Sequence, residues 1–309
     1  MASTALKEES HMRLRKVGTA RRFTRPRHSL KRLAVAASVA ALSLAASASP
    51  AGASVKIGQI GNPGSVGQDT DLFQATVTSG ISYVVPGTGT ITFWTTYGGA
   101  SAGTQMTMKV FRKVADPARY QVVGHAGPRT VTPGGTDGNT FPASIPVKAG
   151  DVLGLHTVTT DAPSIFASPG DQFLFASGNL ADGASGDFQT DPFGNRVNVE
   201  AVFVPANTFT LGKTQRNRKR GTATLTLNLP NAGELTASGK GAGVAAAGAV
   251  ASKTVPNAGP AKLVVKAKGK KKAKLNETGK VKLNLAVTYT PTGGDPSTQS
   301  IKVKLKKKL

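Results

Sequence analysis

The chain contains no cysteine, and this absence excludes several chemistries at once. Without a thiol it can form no disulfide, thiolate zinc site or iron–sulfur cluster, and it has no cysteine nucleophile. Acidic residues are also scarce: 16 aspartates and glutamates face 39 lysines and arginines, so the formal net charge is +23. Such an imbalance indicates an anionic partner, which could be a nucleic acid, a membrane surface or an acidic polymer.

Long hydrophobic runs are missing as well. An apolar, alanine-rich stretch at residues 33–48 is shorter than the roughly 20 residues of a membrane-spanning helix. It follows a basic segment and precedes the small triplet Ala51-Gly52-Ala53, an arrangement typical of a secretory signal. We therefore predict that residues 1–53 are a removable leader and that the mature protein is secreted without a membrane span. The sequence leaves open whether Met1 or Met12 is the start, and whether Arg21-Arg22 marks a twin-arginine route.

Charge is divided unevenly along the chain. Residues 1–53 carry a net charge of +8, residues 54–205 carry −3 and residues 206–309 carry +18. The composition changes near residues 204–221, which are rich in basic and polar residues. We predict a β-sandwich domain at 54–205, a basic linker with a first strand at 206–220, and a basic immunoglobulin-like domain at 221–309.

Short alternating runs separated by glycine, proline and asparagine turns predict strands in the first domain. In the run 90–97, alternation places Ile91, Phe93 and Tyr97 on one face and Trp94 on the other. Similar runs predict further strands at 81–85, 105–112, 120–124, 129–132, 140–147, 152–159, 172–176 and 196–204. About nine such strands with no helical periodicity predict an all-β, jelly-roll-like sandwich.

The second domain alternates apolar residues with lysine, threonine or asparagine. Val281, Leu283 and Leu285 form one face of a predicted strand, and Lys280 and Lys282 lie on the other. Lysine on the exposed face of a strand also discourages edge-to-edge pairing between molecules. Strands are predicted at 222–229, 234–238, 261–268, 280–289 and 299–305, with a lysine-rich hairpin loop near 266–274. This pattern predicts an immunoglobulin-like sandwich.

Recurring phrases give both domains a resemblance to known modules. The first domain, with GTGTITFWTT and FPASIPVKAGDVLGL, resembles an N-terminal β-sandwich module of secreted proteins from high-GC Gram-positive bacteria. The second, with GTATLTLNLPNAGELTASGKG and a closing KVKLKKK, is similar to a basic immunoglobulin-like module of the same kind of protein. The resemblance covers nearly all of the predicted mature chain. It implies a surface location and a fold, and no reaction.

Catalytic signatures are sparse. His125 and His156 are the two histidines outside the predicted leader, and no G-x-S-x-G or HExxH spacing accompanies them. Carboxylates that could serve a glycosidase are Asp69, Asp71, Asp151, Asp182, Asp187 and Asp191, and Glu200 is the one glutamate of the first domain. Asp182, Asp187 and Asp191 could also act as loop ligands of a calcium ion, but they lack EF-hand spacing. Most of these aspartates lie in turn-like contexts, where Asp commonly caps its own backbone. We predict a non-enzymatic protein without a cofactor and assign no metal-binding residue, and the sequence leaves open whether calcium is bound.

The basic residues and a few aromatic side chains remain as binding candidates. Nucleic-acid readers interleave positive charge with stacking aromatics, which the basic domain largely lacks. We expect no nucleic acid and instead predict electrostatic retention on anionic cell-wall or extracellular polymers. The residues predicted to bind them are Arg216, Arg218, Lys219, Arg220, Lys268, Lys270, Lys271, Lys272 and Lys274. The alternative is a carbohydrate-binding or glycan-active first domain, with Trp94 and Tyr97 stacking on sugar rings.

Overall fold

The computed structural model describes residues 53–99, 101–137, 139–243 and 251–309, so all of the predicted leader except its last residue lies outside the described part. Thirteen strands build the first sandwich within it. They are β1 Val55–Gln59, β2 Thr70–Thr76, β3 Gly89–Thr96, β4 Gln105–Ala115, β5 Arg119–Thr130, β6 Thr140–Val147, β7 Val152–Thr157, β8 Ile165–Ala167, β9 Gln172–Ser177, β10 Ser185–Asp187, β11 Gln189–Thr190, β12 Asn195–Val197 and β13 Val199–Pro205.

These strands form a jelly roll. One sheet has the order β1-β13-β3-β6, and the facing sheet has the order β10-β5-β4-β7-β2-β9-β11, while β8 and β12 pair as a separate two-stranded sheet. If β1 to β7 and β13 are counted as eight main strands, their distribution over the two sheets is that of the double Greek key. The core between the sheets is apolar and includes fully buried Leu72, Ile91, Trp94 and Met108. The prediction of a jelly-roll-like sandwich is confirmed.

A β-bulge changes which residues of β3 face the core. The pairing of β3 with β6 shifts between Ile91 and Phe93, and Ile91 and Trp94 are both buried while Phe93 is exposed. One extra residue in a strand inverts the alternation beyond it, so the prediction that Ile91 and Phe93 share a face is wrong. The strand predicted at 81–85 is also wrong: this segment contributes only an isolated bridge from Val84 to Val152.

The second sandwich has immunoglobulin-like topology. Its strands are β14 Thr210–Asn217, β15 Thr222–Leu229, β16 Gly233–Ser238, β17 Ala242–Gly243, β18 Ala251–Val255, β19 Gly259–Ala267, β20 Lys280–Pro291 and β21 Ser297–Lys306. The sheet β14-β15-β19-β17 packs against the sheet β18-β16-β20-β21. Buried leucines and valines alternate with exposed polar residues along β20, as predicted, because one face of each sheet covers the core. The immunoglobulin-like prediction is confirmed.

A short helix replaces the hairpin loop predicted near 266–274. Helix α1, Gly269–Thr278, connects β19 in one sheet to β20 in the other, so these strands do not form a hairpin. Leu275 is the buried residue of α1 and anchors it to the end of the sandwich. Gly279 ends the helix in the left-handed conformation, with a φ of 67°, and its N–H donates to the Leu275 carbonyl.

Asn231 joins the two sandwiches, which belong to one compact unit. Its side-chain oxygen accepts a hydrogen bond from the Thr88 N–H of the first sandwich at 2.6 Å. Its side-chain nitrogen donates to the carbonyl oxygens of Thr88 and Ala206. A Cβ on Gly87 would lie 2.5 Å from the Asn231 side-chain oxygen, so this close approach requires glycine. The linkage holds the basic sandwich against the first one at the end opposite α1.

Candidate polyanion-binding surface

The basic side chains of the second sandwich gather at the end that carries α1. Antiparallel pairing brings Asn217 opposite Thr222, Lys280 opposite Lys306, and Ala223 opposite Val265, so these strand ends lie together. The Lys308 N–H donates to the Arg218 carbonyl at 2.8 Å, which joins the end of the chain to the β14–β15 turn. We call this end of the second sandwich the basic end.

Lysines also face one another across β20 and β21. Lys280 pairs with Lys306, and Lys282 pairs with Lys304, directly opposite in the antiparallel register. The next position along the ladder pairs Asn284 with Lys302. Like charges directly opposite on a sheet are destabilising. Repulsion between these opposed lysines therefore destabilises the protein and concentrates positive charge on this face of the sheet.

Helix α1 adds further positive charge to the basic end. It begins beside Lys268, which makes no side-chain capping hydrogen bond to the helix, and its first turn contains no acidic residue. Lys270, Lys271 and Lys272 occupy that turn, where the positive end of the helix dipole disfavours cations and favours anions. The lysines in the first turn of α1 therefore interact unfavourably with the helix dipole in the free protein.

Three concave surfaces at the basic end are lined by these cations. A cavity of about 930 Å³ lies between the β16–β17 turn and the start of α1, and Lys240, Lys268 and Lys271 line it. A second, of about 390 Å³, is lined by Lys271, Lys274, Lys280, Val281, Lys282 and Lys304. A third, of about 520 Å³, is lined by Arg218, Lys219, Gly279, Lys280, Lys306, Lys307 and Lys308. Shared lining residues join the three, and no carboxylate lines any of them.

The structure brings the predicted basic residues to one end of the fold. Arg216, Arg218, Lys219 and Arg220 lie on the β14–β15 turn side. Lys268, Lys270, Lys271, Lys272 and Lys274 lie on and beside α1. The structure adds four lysines that the sequence analysis does not include among the predicted polyanion-binding residues: Lys280, Lys282, Lys304 and Lys306. Their alternation with buried residues was visible in the sequence, but the register that places them opposite one another was not.

In the first sandwich, His156 belongs to a buried polar cluster. Its Nδ1 lies 3.0 Å from Oδ1 of Asp71, which also accepts a hydrogen bond from Lys109 Nζ at 2.6 Å. Lys109 donates further to the Asn179 side chain at 2.7 Å and the Leu180 carbonyl at 2.8 Å. Burial lowers the pKa of Lys109, and its bond to Asp71 opposes that shift. The cluster ties the segment after β9 to the sheet, which favours a structural role.

Several of the other candidate carboxylates are paired with basic side chains. Asp151 accepts two hydrogen bonds from Arg112, at 2.6 and 2.7 Å. Asp182 contacts Nδ1 of His125 at 2.8 Å on the surface. The remaining pairs are Arg119 with Asp187 and Lys56 with Glu200.

Asp171, which the sequence did not single out, is the most strongly shifted of the carboxylates in the described residues. Burial alone would raise its pKa, but hydrogen bonds from Thr78, Ser168 and Arg196 outweigh burial and lower the pKa to about 2. Arg196 also lies over the Phe166 ring, with its guanidinium carbon 5.8 Å from the ring centroid. This network fastens β12 to the β2–β3 segment.

The two aromatic residues predicted to stack on sugars differ in position. Trp94 is fully buried in the core, where its ring contacts Phe141, so no sugar can reach it. Its indole N–H has no hydrogen-bond partner among the described residues. Tyr97 is half-buried beyond the end of β3.

The fold and the basic end define a two-sandwich protein with a cationic tip. Across the residues described, no helix is long and apolar enough to cross a membrane, and no three His, Asp or Glu side chains gather as metal ligands. No protein-family model matches the chain, and a search of the curated proteins found no match.

Proposed function

We propose that this chain is an exported, non-enzymatic protein that is retained at the cell envelope by its basic end. The partner is an anionic cell-wall or extracellular polymer, bound through charge and not through a specific reaction. The observation that carries the proposal is the lysine-lined surface formed by Lys271, Lys274, Lys280, Lys282 and Lys304, which contains no carboxylate.

The energetics of the basic end support this proposal. Opposed lysines on β20 and β21 and lysines at the N-terminus of α1 each cost stability in the free protein. A bound polyanion would relieve the repulsion between the lysines and the unfavourable interaction with the helix dipole. This relief would add to the free energy of binding. The signal-like leader supports export. Because residues 54–205 carry a net charge of −3, the attraction to a polyanion would come from the second sandwich.

A binding assay with isolated bacterial cell walls and with immobilised polyphosphate tests the proposal. We expect retention at 0.1 M salt and release towards 1 M, because the Debye length falls from about 10 Å to about 3 Å. Binding that is insensitive to salt, or no binding at low salt, would contradict it.

Two fourfold variants separate a local surface from bulk charge. The test variant replaces lysines of the basic end: Lys271→Gln, Lys274→Gln, Lys282→Gln and Lys304→Gln. The control removes the same charge elsewhere: Lys148→Gln, Lys213→Gln, Lys253→Gln and Lys262→Gln. We expect the test variant to elute at clearly lower salt than the control. Equal elution of the two variants would show that net charge alone holds the protein.

A further inference from the structure

A pocket in the first sandwich lies outside the basic end and shares no residue with it. The seven-stranded sheet has three more strands than the four-stranded sheet that faces it, and β9 and β11 lie at one of its edges. Phe175 lies opposite Leu72 in the ladder and therefore points to the same face of the sheet. The pocket has a volume of about 410 Å³, within the range of small-molecule sites.

Phe193 is an exposed aromatic ring held on an ordered turn at the pocket rim. It is 82% exposed, the highest value among the large hydrophobic residues described. Its N–H donates to Oδ1 of Asp191 at 2.9 Å, and the Asp191 N–H donates to the Phe173 carbonyl at 2.9 Å. Gly194 continues the turn, and its carbonyl accepts from Ser168 N–H. The ring is therefore presented to solvent by a turn that is bonded at both ends.

Asp191 gives the pocket a buried acceptor. It is only 8% exposed, and it lines the pocket. Its Oδ1 is engaged by the turn, whereas its Oδ2 has no hydrogen-bond partner among the described residues. Gln68, Thr190 and Ser177 add further donors and acceptors to the lining. A carboxylate oxygen that has no donor within the described residues can accept hydrogen bonds from a ligand that brings hydroxyl groups.

We propose that this pocket is a binding site for a neutral carbohydrate. The face of a pyranose ring is apolar and its edge carries hydroxyls, which matches an exposed aromatic ring beside a carboxylate acceptor. Asp191 is the one charged residue of the lining and would repel an acidic sugar. The partner of this site is thus chemically distinct from the polyanion proposed for the basic end.

A glycan array of neutral mono- and oligosaccharides, followed by calorimetry with each hit, tests the site on the full chain. We expect a neutral saccharide to bind, and Phe193→Ala to weaken it about tenfold, the order expected for one stacking ring. Asp191→Asn keeps an oxygen for the Phe193 N–H and removes the charged acceptor, so it should weaken binding as well. Phe93→Ala, which removes an exposed ring from the other sheet, is the matched control and should bind like the parent.

The outcomes distinguish this site from the basic end. No neutral hit, hits restricted to acidic glycans, or hits unchanged in both Phe193→Ala and Asp191→Asn would overturn the proposal. Circular dichroism verifies that the variants fold. Phe193→Ala should fold because Phe193 contributes little buried area, and Asp191→Asn provides a second test of the site. Salt-sensitive retention on cell walls should persist in both variants, since neither touches the lysine surface.

Discussion

Trp94 shows how much a single buried side chain decides. Its ring fills the core beside Phe141, and its N–H has no partner in the described part of the chain. A buried donor without an acceptor costs free energy. The packing of the Trp94 ring therefore stabilises the fold, and its N–H does not. The role of Trp94 is therefore packing, although its residue type also suits sugar binding.

We expect Trp94→Ala to lower the free energy of unfolding by about 3–5 kcal/mol, because it leaves a large cavity. Trp94→Phe should cost much less, since it removes the unpartnered N–H and keeps an aromatic ring in place. Chemical denaturation followed by circular dichroism measures both. A Trp94→Phe variant as unstable as Trp94→Ala would show that the N–H is bonded after all.

At the scale of elements, the β20–β21 ladder places function and stability in opposition. Alternation hides Val281 and Leu283 in the core and presents Lys280 and Lys282 to solvent. Antiparallel register then sets those lysines against Lys306 and Lys304. A different register would separate these lysines. The pairing of β20 with β21, and not either strand alone, therefore concentrates the positive charge.

Lys282→Glu should stabilise the protein by roughly 0.2–1 kcal/mol at low salt, because it turns a like-charge pair into an opposite-charge pair with Lys304. The same change should weaken retention on polyphosphate. Thermal unfolding at low and high salt measures the first effect and the binding assay measures the second. Lys262→Glu, on the exposed face of β19, is the control and should change the melting temperature less. Loss of stability in Lys282→Glu would contradict the opposed-charge interpretation.

At the scale of the whole molecule, Asn231 contributes several of the hydrogen bonds that join the two sandwiches, alongside the bond from the Ala53 N–H to the Asp295 side chain. It receives one hydrogen bond from Thr88 and donates to the Thr88 and Ala206 carbonyls across the junction. Tyr289 also holds Asn231 in place, because its hydroxyl donates a hydrogen bond to the Asn231 carbonyl at 2.9 Å. The junction holds the basic end away from the first sandwich.

Removing this side chain should loosen the junction. We expect Asn231→Ala to cost about 1–3 kcal/mol, because it leaves the Thr88 N–H and two carbonyls of the junction without their partner. Scanning calorimetry should show a lower or a split transition as the sandwiches begin to unfold separately. Asn228→Ala, at an exposed position of β15, is the control and should unfold like the parent. An unchanged single transition in Asn231→Ala would mean that other contacts join the domains.

Local patterns in the sequence determined much of this protein. Period-two alternation and glycine-rich turns predicted both sandwiches, and segment 222–229 coincides with β15. The same local information located the excess of positive charge after residue 205. These features were accessible because strand periodicity and charge depend on neighbours in the chain.

Contacts between distant residues were decided only by the tertiary structure. The bulge in β3, the opposed lysines of β20 and β21, and the bond from Lys109 to Asp71 all depend on register between strands far apart in sequence. Helix α1 was missed because its lysine-rich segment has little helical patterning, and Leu275 becomes its anchor only when it meets the sandwich. Phe193 and Asp191 line a pocket together with residues near 66–70 and with β9, segments that are far apart in the sequence, so no local pattern predicts it.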